Sequence, residues 1–114
     1  MWPATQEDSG SNTYAGQIPM GSLVAIPPSV DLATLGLSSS GLMLARSLQD
    51  YGAYVTDRSA GFAFYAEPSA EALLASMRAD LNKIRAQLRV VTNNSPSSVG
   101  GGGTPRVPLA PGLP

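Results

Sequence analysis

The chain has 114 residues, a net charge of −1 with 13% charged residues, and neither cysteine nor histidine. That length holds at most one domain, and so weak a charge lacks the electrostatic footprint of a nucleic-acid binder. Without Cys or His there is no disulfide, no Ser-His-Asp triad and no Cys-His dyad, and only oxygen ligation of a hard cation stays open to a metal. Neither a metal site nor a cofactor is expected. No apolar run approaches the ~20 residues of a membrane span, and Met1-Trp2-Pro3 has neither the basic nor the apolar region of a signal peptide.

Residues 1–17 read as an irregular arm, in which Trp2 is the one side chain expected to pack onto the body or a partner. Met1 abutting Trp-Pro suggests a start cut from something longer. Residues 18–94 read as a single small α+β module of about 75 patterned residues, near the lower limit for independent stability. Ser22–Ile26 (SLVAI) is β-branched and apolar, and Pro27-Pro28 stops it, so a strand over 22–26 is expected. Around Asp31–Leu35 a helical turn fits, with Asp31 at its start and Gly36 stopping it.

Ser38-Ser39-Ser40 offers N-caps for a helix over 40–51. Leu44, Leu48 and Tyr51 form its core stripe, widened by Leu42 and Ala45. Arg46 and Gln49 lie opposite, and Gly52 is placed to end it. Segments 53–57 and 62–67 then alternate with period two and read as a hairpin turning over 58–61. In that register Tyr54 faces Tyr65. Ala53, Val55, Phe62 and Phe64 form the core face, while Tyr54, Thr56, Ala63 and Tyr65 point outward with Glu67 at the end. The aromatic pair is either sheet stabilisation or a flat platform on which a sugar ring stacks.

Pro68 breaks the second strand and Ser69 is the expected N-cap of a long amphipathic helix over 69–92. In it Ala70, Leu74, Met77, Leu81, Ile84, Leu88 and Val91 are spaced 4, 3, 4, 3, 4, 3. This stripe either covers the sheet or forms an intersubunit bundle, which makes Leu74, Met77, Leu81, Ile84 and Leu88 interface candidates. Leu88 to Val91 (LRVV) reads equally as a final strand. Arg78, Lys83, Arg85 and Arg89 make the segment basic, relieved by Glu71 and Asp80, and read as a solvated face. Residues 95–114 are a Gly/Pro-rich tail with a flexible hinge at Gly100–Gly103.

For chemistry, Asp50, Asp57 and Glu67 are the candidate acid/base carboxylates, and Tyr51, Tyr54 and Tyr65 the candidate proton donors. Each has a plainer reading as a solvated, turn or core residue, and no catalytic residue is assigned. Tyr54, Tyr65 and Glu67 are the candidate ligand-binding residues.

IPMGSLVAIPPSVDL (18–32), ARSLQDYGAYVTD (45–57), an aromatic segment ending in Tyr65-Ala66-Glu67-Pro68, and DLNKIRAQLRVV (80–91) occur in that order, led in by Trp2–Ala4. Together they resemble the C-terminal part of large bacterial secreted proteins and phage tail-fibre or tailspike-like proteins, a set that includes carbohydrate-active β-sandwich proteins. The resemblance implies a non-catalytic, extracellular or virion-associated module. Its role would be to bind a glycan or cell surface, or to complete a larger β-rich protein. The implied partners are a polysaccharide and other protein chains or the preceding part of a larger protein, with no nucleic acid and no membrane span. Two alternatives stand beside it: a structural assembly subunit of a virion or tail that uses the stripe at 70–91 and the Pro-rich tail, and a fragment of a polysaccharide lyase or glycoside hydrolase.

Overall fold

The computed structural model describes residues 1–7, 15–59 and 61–104, without the side chains of residues 71, 73 and 74. The fold is α+β. Strands β1 (Leu23–Ala25), β2 (Ala53–Tyr54) and β3 (Arg89–Val90) form one antiparallel sheet in the order β2-β1-β3. Helix α1 (Ser39–Asp50) joins β1 to β2, and α2 (Glu71–Met77) and α3 (Leu81–Gln87) lead from β2 to β3. No described helix is long and apolar enough to cross a membrane.

β1 lies inside the predicted strand and ends before Pro27-Pro28, as the missing N–H groups require. Asp31 accepts from the Ala33 N–H at the start of a 3-10 turn, Leu32–Leu35, which Gly36 closes in the left-handed region. α1 begins at its serine cap: the Ser38 side chain accepts from the Gly41 N–H. It ends at Gly52, whose φ of +75° and close approach to Val24 and Leu23 leave no room for a side chain.

Ile26, Leu32, Ala45, Leu48 and Ile84 make the core, with Phe64 and Leu88 among the half-buried side chains against it. Burying each of the larger aliphatics is worth about 1.5–3 kcal/mol. Two side chains of the α1 pattern depart from expectation. Tyr51, at the frayed last turn, is 61% exposed rather than in the core stripe. Gln49, expected to face water, donates to the carbonyls of Pro27 and Val30 at 3.0 and 2.9 Å, and so satisfies the backbone that the Pro-Pro exit leaves without ladder partners.

The hairpin does not form among the described residues. β2 pairs instead with β1, Tyr54 opposite Leu23 and Ala53 opposite Val24. Segment 62–67 is not a strand, and the third strand is β3, with Val90 opposite Val24 and Arg89 opposite Ala25. The expected division into faces nevertheless holds: Ala53, Val55, Phe62 and Phe64 are half-buried, while Tyr54, Thr56, Ala63 and Tyr65 are exposed. Phe62 and Phe64 meet edge-to-face at 5.0 Å, a favoured aromatic geometry.

The segment expected as one helix over 69–92 is divided and shorter. Ser69 lies inside a 3-10 turn, Pro68–Ala70, rather than capping a helix. A second 3-10 turn, Arg78–Asp80, separates α2 from α3. Leu88 then turns extended, with ψ 140°, and the β-branched residues behind it join the sheet: the Val91 N–H donates to the Leu23 carbonyl at 2.9 Å.

The N-terminus folds back onto the body. Met1 donates to the Met20 carbonyl, Trp2 is half-buried, and the peptide Trp2-Pro3 is cis. Beyond β3, Gly100–Gly103 all have positive φ. The expected hinge is anchored: the Gly100 N–H donates to Asn94 Oδ1 at 2.9 Å, and the Asn93 amide donates to the Gly101 carbonyl. Residues 105–114, with the proline-rich segment, and residue 60 of the expected turn lie outside the described residues.

Candidate functional site

The candidate surface grows out of β2. Pairing with β1 fixes Ala53 and Tyr54, and the Val55 N–H continues the contact to the Ser22 carbonyl at 2.9 Å. Packing of Phe64 on the core then holds the return segment, so its neighbour Tyr65 is turned to water with 82% of its surface exposed. The Tyr65 hydroxyl donates to Asp57 Oδ2 at 2.8 Å. Glu67 is exposed, and its carboxylate accepts from the Ser69 hydroxyl at 3.5 Å.

Of the predicted ligand-binding residues, Tyr65 therefore pairs with Asp57 rather than with Tyr54, whose strand position faces Leu23. A ring exposed on its faces and fixed through its hydroxyl can stack on an apolar sugar face, and the neighbouring carboxylate can accept hydrogen bonds from hydroxyl groups. Asp57, Tyr65 and Glu67 all lie at the surface.

The interface candidates divide. Ile84 is fully buried and Leu88 packs against the core, so these two serve the chain's own interior. Met77 and Leu81 are half-buried. The side chain of Leu74 lies outside the described residues.

Sequence reasoning missed a buried polar clamp. Asp80 is 4% exposed and accepts from the Ser38 N–H at 2.8 Å and the Ser38 hydroxyl at 2.6 Å. Lys83 Nζ lies 3.8 Å from its other oxygen and donates to the Gly36 carbonyl at 2.6 Å. The Ser38 hydroxyl, then its N–H, hold the Asp80 carboxyl below the ordinary carboxylate range; burial opposes them, and Lys83 adds to them. The same Ser38 oxygen caps α1 by accepting from the Gly41 N–H at 3.1 Å. One chain of bonds thus joins the α1 N-terminus to the turn between α2 and α3. The signal for it is spacing: Asp80 stands four residues before Ile84 and eight before Leu88, on the row that faces inward.

Comparison with known protein families, with curated proteins and with solved structures finds no match to this chain. A functional reading therefore rests on the chain's own residues and on the resemblance given above. Among the described residues, no group of three or more acidic side chains is placed to hold a metal ion.

Proposed function

We propose that this chain is a non-catalytic module of an extracellular or virion-associated, phage-tail-type carbohydrate-active protein. It serves glycan or cell-surface binding, or the structural completion of a larger β-rich protein, and glycan binding is the role its surface favours. The observation that carries this reading is Tyr65: a ring 82% exposed, with its hydroxyl tied to Asp57. Leaving a large ring in water forgoes about 1.5–3 kcal/mol of burial, and tyrosine, with an apolar body and a polar tip, is enriched at interfaces. The resemblance of 18–32, 45–57 and 80–91 to the C-terminal part of secreted and tail-fibre proteins supports the carbohydrate context.

The test is glycan-array binding by the full chain, with Tyr65→Ala for comparison. The expected result is binding to a defined set of glycans, weakened several-fold by Tyr65→Ala, with the thermal midpoint unchanged because the ring is exposed. A blank array sinks glycan binding and leaves only structural completion, and binding indifferent to Tyr65 overturns the assignment of the site to that ring.

A further inference from the structure

The second surface feature is a separation of charge. Residues 71–92, from the start of α2 through β3, hold four of the chain's seven basic residues, Arg78, Lys83, Arg85 and Arg89, and two of its eight acids, Glu71 and Asp80. The segment is thus +2 and the remainder of the chain −3, out of a total of −1. Burial sharpens the contrast. Asp80 is turned inward onto Ser38, and Lys83 is engaged by the Gly36 carbonyl and by Asp80. Among the described side chains, what this segment shows to water is three guanidinium groups and the Lys83 ammonium, with no carboxylate.

These groups are ordered. Arg78, Asn82 and Arg85 are all exposed and spaced 4 and 3, which places them along one side of the helical path. Seven residues at a rise of 1.5 Å put the two arginines about 10 Å apart along the axis. Beyond them Arg89 Nη1 donates to the carbonyls of Ala86 and Leu88 at 3.0 and 2.7 Å, which fixes a third cation at the α3 C-terminus, where the helix dipole favours it. Neither Arg78 nor Arg85 has an acidic partner among the described residues.

We propose that the Arg78–Asn82–Arg85 face, ended by Arg89, binds an acidic polysaccharide, a glycan chain bearing carboxylates at intervals. This rests on the glycan-binding reading above and names the substrate class. A guanidinium matches a carboxylate in a planar, two-bond fork, and the Asn82 amide between the two arginines can donate to and accept from sugar hydroxyls. Charge density selects the occupant. Duplex DNA carries one charge per ~3.4 Å along each of its two strands, and the acidic remainder of the molecule repels so large a total charge. A polyuronate carries a single line of charges, one carboxylate per sugar, and these can meet the arginines one by one.

The test measures binding of the full chain to polygalacturonate, to neutral dextran and to duplex DNA at low and high salt. The variants are the double substitution Arg78→Ala/Arg85→Ala and Arg46→Ala, which removes an exposed cation from α1. The expected result is salt-sensitive binding of polygalacturonate, at least about tenfold weaker in the double variant and unchanged in Arg46→Ala, with equal thermal midpoints. Acidic-glycan binding that the double variant leaves intact overturns the inference, as does DNA bound as tightly as polygalacturonate. Binding of dextran alone overturns it and leaves the glycan-binding reading standing. If no glycan binds, neutral or acidic, that reading falls as well.

Discussion

Asp80 is buried, and the two donors of Ser38, with Lys83 adding to them, favour its ionised form. The consequence for pH has a definite sign. Its folded-state pKa lies below its unfolded value of about 4, so the stabilisation is present above pH 4 and is lost as pH falls through the folded value. Asp80→Asn is therefore less stable than the parent at pH 7, and the gap between their thermal midpoints closes in strong acid; an equal gap at both extremes would refute the role. Gly41 offers a second test. A Cβ there would run into the Asp80 carboxyl group, so Gly41→Ala costs about 1–3 kcal/mol of overpacking. That outweighs the ~1 kcal/mol which alanine gains over glycine in a helix. With Asp80→Ala also present the contacts to the carboxyl atoms are gone and only the one to the residue-80 Cβ at 2.9 Å remains, so the same substitution costs less than in the parent. Chemical denaturation of the four proteins measures this coupling.

Elements were legible where local chemistry alone decides them. Ser38 and Gly52 bracket α1, Asp31 and Gly36 bracket the short turn, and Pro27-Pro28 ends β1, each through a bond or a dihedral set within a few residues. Pairing was not legible, because period two tells which residues face inward but not which strand lies alongside. Alternation gives the inward set Ala53, Val55, Phe62 and Phe64, while the partner of Ala53–Tyr54 is β1, some thirty residues away in sequence. A similar limit applied to LRVV, where heptad spacing continues through Val91 but the open edge of β1 claims that stretch for the sheet. The candidate site was legible only in part: Tyr65 faces out by alternation, but its bond to Asp57 depends on the path of the chain between them. Gly52 tests the α1–β2 junction. Its φ is +75°, and a Cβ would lie 2.8 Å from the Val24 carbonyl oxygen and 2.9 Å from Leu23 Cδ1. Gly52→Ala is expected to lose at least about 1–2 kcal/mol from the left-handed backbone alone. Gly61→Ala, where a Cβ meets nothing within 4 Å, is expected to be neutral or to gain up to ~1 kcal/mol. Urea midpoints distinguish the two.

For the whole molecule, the question is what the 70–91 stripe covers. A unit with about 75 patterned residues has little stability to spare, on the order of 5 kcal/mol, and it cannot lend its central aliphatics to a neighbour and keep a core. Ile84 meets Ile26, Leu32, Ala45 and Leu48 inside the chain, so Ile84→Ala, at about 2–5 kcal/mol, removes most of that reserve and should leave much of the protein unfolded near body temperature. An assembly held by the stripe would behave otherwise, since a core-forming Ile84 is not free to cross an interface. Light scattering of the full chain over a range of concentrations separates the two. A mass near the 11.7 kDa of one chain throughout is the expected outcome, and it agrees with a stripe spent internally. A mass that rises with concentration would instead place a partner on the side chains left exposed, with Met43 and Tyr51 on the outer side of α1 the first to examine, each 61% exposed. Loss of that rise in Met43→Ser/Tyr51→Ser would then locate self-association on α1, away from Tyr65.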